Sequence, residues 1–315
     1  MNPTAVGNLL IRPLREDDLP TASDVCATAF ATFLGMNRSG DADRVRTRWL
    51  MDPKAAIAAE LDGQVVGSNF AANWGSIGFF GPLSVRPDLW GRGIAQKLLE
   101  PTMELFRGWG NRHLGLFTFS QSPMHVGLYQ KFGFWPRYLT AVMSKEPDPS
   151  RQAAGSSRYT QLTPAGQKQA LQACRDLADS IYEGLDLTSE ILAVATQKTG
   201  DAVLLWDGSQ LEGFAICHAG AGSEAGTGLC LIKFGAARSG PKAGASFDRL
   251  LDACEALAIS FGVGRLAGGA NAARSEAYET MRRHGFRPDF LGVIMDRPNE
   301  PGYNREGIYV IDDWR

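Results

Sequence analysis

Apolar positions along the chain follow two periods, and the switches between them mark out helices and strands. Ala22, Val25, Cys26, Ala29, Phe30 and Phe33 fall three and four residues apart behind the acidic start Glu16-Asp17-Asp18, which predicts an amphipathic helix. The apolar run Ile77 to Val85 predicts a buried strand. Pro87 and Asp88 break it, and Ile94, Leu98, Leu99 and Phe106 return to helical spacing. Gly91 and Gly93 then fall in that helix's first turn. Another apolar segment, His113 to Phe119, precedes Ser122-Pro123, an N-cap followed by proline at the first helical position, and Thr163-Pro164 repeats the signal. Each half of the chain reads as helix, helix, several antiparallel strands, helix, strand, helix, strand.

The halves are copies. Gly133-Phe134-Trp135-Pro136 is echoed 152 residues later by Gly285-Phe286-Arg287-Pro288, and Tyr138 falls on Phe290 at the same offset. Leu98-Leu99-Glu100 likewise falls on Leu250-Leu251-Asp252, and Val142-Met143 on Ile294-Met295. The hairpin signals around Asp62-Gly63 and Asp207-Gly208 lie 145 residues apart. A period this long means two tandem copies of one fold rather than a solenoid. A polar, breaker-rich stretch joins them, so residues 1–147 form a first domain, 148–157 a linker and 158–315 a second domain. The copies differ chemically: Ala243-Gly244-Ala245 falls under Gly91-Arg92-Gly93, and Met281 under Tyr129. The second domain therefore reads as degenerate, shaping a substrate pocket or an interface, although the flexible segment Gly235 to Gly244 leaves a reshaped phosphate site open. Ile308-Tyr309-Val310-Ile311 predicts a last strand. Asp312, Asp313, Trp314 and the carboxylate of Arg315 are expected beyond it as a solvated acidic end.

With 315 residues, 44% of them hydrophobic and 21% charged, the chain has room for two cores and a well-solvated surface. A formal net charge of −2 and the absence of a Lys/Arg run argue against nucleic acid and anionic membranes as partners. The five cysteines, Cys26, Cys174, Cys217, Cys230 and Cys254, are scattered without a Cys-x-x-Cys pair, so neither a disulfide framework nor a metal site is suggested. No apolar run approaches membrane-spanning length and none follows a basic start, so a cytoplasmic protein is expected. A homodimer is left open.

Residues Val85 to Ala95 carry the chemistry. A strand end, a glycine-bracketed turn and a helix start present backbone N–H groups without intrahelical partners at the positive end of a dipole, a setting for phosphate oxygens. The three-glycine dinucleotide fingerprint and the Gly-Lys-Ser/Thr loop both fail to fit. Downstream stands Leu128-Tyr129-Gln130-Lys131-Phe132-Gly133-Phe134. The two blocks together resemble the GNAT superfamily of acyl-CoA-dependent N-acetyltransferases. The first matches its Val-x-Pro-x-x-x-Gly-x-Gly-Ile motif and the second its Leu-Tyr-x-x-x-Gly-Phe motif. The resemblance runs from about Ile11 to Met143, and covers Tyr159 to Arg297 only as a fold-level echo.

The resemblance implies the α/β class, an α+β mixed sheet with flanking helices, in two tandem GNAT-like acyl-CoA N-acyltransferase domains. It implies that Leu83, Ser84 and Val85 bind the pantetheine arm of acetyl-CoA as a further strand would. Trp90, Gly91, Arg92, Gly93, Ile94 and Ala95 would form the pyrophosphate turn. An acetyl group then passes to a primary amine of a small molecule or peptide by direct attack, with Tyr129 as general acid; a packed core aromatic is the other reading of Tyr129. His125, four residues earlier on the same helix face, sits in a first turn whose dipole disfavours imidazolium. It is a candidate base, or a helix-start histidine packed against its surroundings. Asp88, Trp90 and Ser122 depart from the commoner Gln/Arg, Arg and Asn of the family, and Pro101 interrupts the helix's hydrogen-bonding donors. Acceptor recognition falls to the region from Phe30 to Trp49, including Phe33, Met36, Asn37 and Arg38, while Arg44, Arg46 and Arg48 read as a solvated helix face. Because no carboxylate base stands on the strand before Val85, a non-catalytic acyl-CoA-binding module is the alternative. So is an acyltransferase with another donor or acceptor.

Overall fold

A computed structural model describes residues 8–37, 40–151 and 155–314. Arg38 of the expected acceptor region, linker residues 152–154 and the terminal Arg315 lie outside them. The first half forms β1 (Leu9–Pro13), α1 (Leu19–Leu34), α2 (Arg44–Met51), β2 (Ala56–Leu61), β3 (Gln64–Trp74), β4 (Ile77–Phe80), β5 (Ser84–Val85), α3 (Ile94–Trp109), β6 (His113–Thr118), α4 (Pro123–Gln130) and β7 (Trp135–Lys145). The second half repeats the order with β8 (Ser156–Arg158), α5 (Pro164–Ile181), α6 (Thr188–Thr196), β9 (Gly200–Asp207), β10 (Gln210–Gly220), β11 (Gly226–Ala237), α7 (Ala243–Ser260), β12 (Arg265–Asn271), α8 (Ser275–Arg283) and β13 (Arg287–Arg297), and then adds β14 (Val310–Ile311). Each copy opens on a short edge strand, β1 or β8, that the hydrophobic pattern does not reveal because its residues are mostly half-exposed.

The strands join one continuous sheet in the order β1-β2-β3-β4-β6-β13-β7-β12-β11-β10-β9-β8, with β5 on β3 and β14 on β11. Its centre is an exchange. β6 pairs antiparallel with β13 of the second half (Val293↔Thr118 to Arg297↔Leu114), while β7 of the first half pairs with β12 (Leu266↔Lys145 to Asn271↔Thr140). The two exchanged strands also pair with each other. These are the strands that carry the echoed Val142-Met143 and Ile294-Met295, so each presents its neighbour with nearly the surface the other would. The parallel pairs β4·β6 and β11·β12 are linked through α3 and α7, as parallel neighbours require.

The core follows the exchange. Phe80, Leu99, Phe106 and Leu116 pack with Val293 and Met295 from β13. A larger cluster sets Trp74 and Phe79 among Ile181, Phe214, Phe234 and Trp314. Between the halves runs a buried charge network that overturns one expectation. Arg48 is not on a solvated face. Its guanidinium forks onto both oxygens of Glu224 at 3.2 and 3.1 Å, and Lys233 bridges Glu224 at 2.6 Å to Glu190 at 3.0 Å. At roughly 100° per residue, positions 44, 46 and 48 cannot share one helix face. The partner that draws Arg48 inward lies 176 residues away, beyond any local pattern. Burial pushes the Glu224 carboxyl up, but Arg48 and Lys233 outweigh it and hold the group well below the usual carboxylate range. Glu224→Ala would take from buried Arg48 its carboxylate partner and leave Lys233 with Glu190 alone. Such a loss costs about 3–5 kcal/mol, and urea unfolding should show it.

Candidate active site

The expected single strand from Ile77 to Val85 is two. β4 pairs with β3 (Ala71↔Phe80 to Trp74↔Ile77), Gly81-Pro82-Leu83 interrupts, and β5 returns to β3 further along (Ser68↔Ser84, Gly67↔Val85). On its other side β4 follows β6 only from Ile77↔His113 to Phe79↔Gly115. Beyond that point the strands part, and β5 has a strand on one side only. The Arg86 N–H donates to the Val66 carbonyl, so by the alternation of a strand the polar groups of Val85 face the gap. One of them is used: the Trp90 indole N–H donates to the Val85 carbonyl at 2.7 Å.

Gly91 and Gly93 lie just ahead of α3's first turn rather than in it. Their φ angles are +77° and +80°, and Gly93 is the cap residue before Ile94. A β-carbon on either would meet nothing within 4 Å, so open space faces both. With a strained backbone that glycine accepts readily, and helix N–H groups aimed outward, the turn can hold an anion. Arg92 is exposed beside it. Asp88, which departs from the family pattern, pairs with Arg86 on the surface at 2.7 Å. Pro101 does not end α3, which runs on to Trp109.

Across the gap stands α4, capped by Ser122, whose Oγ accepts from the His125 N–H and pairs with His125 Nδ1 at 2.6 Å. The His125 ring is wedged edge-on against Phe33, centroids 4.7 Å apart, and lies 5.8 Å from Phe119. Burial lowers its pKa, keeping the imidazole neutral. Tyr129 is buried, 5.6 Å from the Phe80 ring, and burial drives its hydroxyl pKa up against a hydrogen bond with Thr118. A cavity of about 880 Å³ collects these pieces. Leu83, Ser84, Val85, Trp90, Gly91, Arg92, Gly93, Ile94, Ala95, His125 and Tyr129 all line it, with Phe33, Met36 and Asn37 from the α1–α2 region.

Two further lining residues, Phe290 and Trp314, come from the second half. Phe290 sits on the exchanged strand and could have been suspected from its echo of Tyr138. Nothing local announces Trp314, because the expectation of a solvated acidic end is wrong. Asp312, Asp313 and Trp314 are 1%, 6% and 3% exposed. β14 pairs with β11 (Gly235↔Ile311, Ala236↔Val310) just where β11 has left β12, after Ile232↔Gly268. This gap corresponds to the one beside β5, and here the chain's own tail fills it. A β-carbon on Gly268 would stand 2.7 Å from Ile311, one on Gly269 2.3 Å from Asp313, and one on Gly244 3.1 Å from the Tyr309 hydroxyl. The segment from Gly235 to Gly244, expected to be flexible, instead ends β11 and begins α7, and it borders a cleft already occupied.

A second polar cluster is closed on itself. Asp252, Glu255 and His284 bring donor atoms within 4.8 Å of one another. Glu255 already accepts from Lys145 at 2.6 Å and from the Asp148 N–H at 2.8 Å, and His284 is bonded to Asp248 at 2.9 Å.

Residues 24–134 match the profile of the Acetyltransferase (GNAT) family. Residues 24–134 thus form a GNAT-family domain, and the chain as a whole has the fold of two tandem GNAT units. No curated protein sequence matches it. Among solved structures, a Pyrococcus horikoshii protein assigned as an acetyltransferase is similar at 15% identity and TM-score 0.70, over 97% of this chain and 95% of that one. A GCN5-related N-acetyltransferase of Sphaerobacter thermophilus is similar at 16% identity and TM-score 0.62, over 92% and 95%. A tandem GNAT protein from the clavulanic acid biosynthesis pathway is similar at 16% identity and TM-score 0.58, over 92% and 98%. These likenesses show the fold, and the family match assigns this GNAT protein to acyl transfer from an acyl-CoA. No helix among the described residues is long and apolar enough to cross a membrane.

Gly93→Trp tests the turn. A β-carbon at this positive φ costs roughly 1–2 kcal/mol, and the indole would enter the open space the turn faces. CoA affinity by calorimetry should fall at least about tenfold with the circular dichroism unchanged; unchanged affinity would place the phosphates elsewhere.

Proposed function

We propose that the first GNAT fold binds acetyl-CoA in this cavity and transfers the acetyl group to a primary amine by direct attack, in the cytoplasm. The observation that carries the reading is the convergence, on one cavity, of the open side of β5, the glycine turn ahead of α3, Tyr129 and His125. Leu83, Ser84 and Val85 would take the pantetheine arm as a strand takes its neighbour. The residues from Trp90 to Ala95 would hold the pyrophosphate, with Arg92 adding charge.

The acceptor enters as the neutral amine, and its nitrogen must lose one proton as it bonds to carbon. With Nδ1–H donating to Ser122 Oγ, His125 keeps a lone pair on Nε2 to receive it, directly or through water. The amine nitrogen then bonds to the thioester carbonyl carbon, and collapse of the tetrahedral species breaks the carbon–sulfur bond. The thiolate leaves with the electron pair. Tyr129 donates to that sulfur as charge develops, and its raised pKa ensures that it carries its proton when the thioester arrives. No covalent acyl-enzyme is needed. Burial of Tyr129 among Phe80 and Phe134 also fits an acyl-CoA-binding module, so the test must separate turnover from binding.

Thiol release from acetyl-CoA over a panel of amines measures turnover directly. Tyr129→Phe and His125→Gln should each lower kcat about 100-fold, the range of a lost acid or base, while calorimetric CoA binding stays the same. Because burial holds His125 below its ordinary 6.5, kcat/KM should lose no activity through imidazole protonation above that pH and fall only below it; His125→Gln should abolish the acid limb. Full turnover by Tyr129→Phe would remove it as the acid. Binding without thiol release for any amine would identify the non-catalytic module.

A further inference from the structure

Opposite the glycine turn, the cavity is walled by rings from both halves of the chain. Phe33 packs on Phe119 at 4.7 Å, Phe30 lies 6.2 Å from Phe119, and Phe117 meets Phe290 edge-on at 6.1 Å. Trp314 stacks on Phe79 at 6.4 Å and lies directly on Gly115, where a β-carbon would stand 1.7 Å from the indole. A side chain on β6 at this position would exclude the ring.

The indole is held in place. Its N–H donates to the Tyr303 hydroxyl at 2.9 Å, that hydroxyl donates to Asp312, and Asp312 takes the guanidinium of Arg274 at 2.8 Å, all deep in the interior. With its only polar atom satisfied, Trp314 offers the cavity an apolar surface. Charge points the same way. Asp43 is the one acid among the described lining residues, and its carboxylate is committed to capping α2, accepting from the Arg46 N–H at 2.9 Å and the Ser23 hydroxyl at 3.2 Å. The lining cations Arg44 and Lys131 would repel a polycation. A second ammonium entering here would lose water and find only the Asp43 carboxylate, whose Oδ1 already accepts two hydrogen bonds, to replace it.

We infer that the acceptor is an amine on an aromatic or bulky apolar body with no second positive charge, and that Trp314 is a specificity-determining residue of its site. The inference rests on the acyl-transfer reading of the cavity. The same apolar wall could in principle meet a long acyl chain on the donor, and the experiment separates that source.

Wild-type protein, Trp314→Ala and Trp314→Phe are assayed for thiol release with 2-phenylethylamine and spermidine, using acetyl-CoA and octanoyl-CoA, with calorimetric titration of each amine and of CoA. With acetyl-CoA, kcat/KM for 2-phenylethylamine should exceed that for spermidine about 100-fold. Trp314→Ala should raise its KM about tenfold with kcat nearly unchanged and CoA affinity the same, and Trp314→Phe should recover most of the loss. A merely structural role would instead lower kcat and CoA affinity together in both variants. Preference for spermidine, preference for octanoyl-CoA that Trp314→Ala erases, or an unmoved KM in Trp314→Ala would overturn the inference. Calorimetric binding of 2-phenylethylamine, weakened in Trp314→Ala, with no thiol released would sink the acyl-transfer reading and leave the apolar wall standing. Absence of both binding and turnover of 2-phenylethylamine would refute the wall itself.

Discussion

Strands β6 and β12 each end a parallel crossover, and each is completed by a strand from the other half of the chain. A strand left with an open edge in mid-sheet would expose a row of unpaired N–H and C=O groups. Here β13 closes β6, β7 closes β12, and the two exchanged strands close each other. Neither half therefore owns a complete sheet. The consequence reaches the site, because β13 brings Phe290 into a cavity made mostly by the first half. It reaches the tail as well. β13 ends at Arg297 opposite Leu114, so the chain leaves it beside β6, packs Gly302 against the His113 ring, and only then turns back to β11.

That route explains why two copies of one fold behave differently. The first copy keeps a gap beside β5; in the second, the corresponding gap beside β11 is filled by β14, which gains two registered pairs there. Small residues make the filling feasible, Gly268 and Gly269 for Ile311 and Asp313, with Gly244 beneath Tyr309. The tail is then locked by the Arg274–Asp312 pair, both members 0% exposed at the side chain. A buried pair of this kind is weak as a source of stability but selective for one arrangement, since any register that separates the charges leaves each unpaired in the interior.

What the residue pattern revealed was local. Helices α1, α3 and α4 could be read because their apolar positions recur within a few residues and their caps, Ser122 above all, are adjacent in sequence. The tandem repeat could be read because the echo of Gly133-Phe134 in Gly285-Phe286 survives divergence. The break at Gly81-Pro82-Leu83 was hidden in a run in which Ser84 is the one polar residue, since burial and not pairing sets composition. Arg48 and Trp314 were misplaced for a related reason. An arginine in a helix and a tryptophan directly after paired aspartates both look solvated until a partner far along the chain is supplied, and Glu224 and Gly115 are such partners.

Arg48 gives the second copy a task beyond filling its own cleft. While Nε and Nη2 grip Glu224, Nη1 donates to the Gly81 carbonyl, at the point where β4 ends and the cleft opens. The guanidinium also lies over the Phe79 ring at 5.9 Å, the ring on which Trp314 stacks. A planar, five-donor fork suits this because it can fix a carbonyl and a carboxylate at once. The backbone that parts to form the cleft is thus anchored through Arg48 to an acid of the other half, and that acid is itself fixed by Lys233 and, through it, Glu190. Preorganisation of this sort lets a site hold its geometry without help from its ligand. With its own cleft filled by β14, the second domain supplies in Glu224 the anchor for the carbonyl at the mouth of the open cleft.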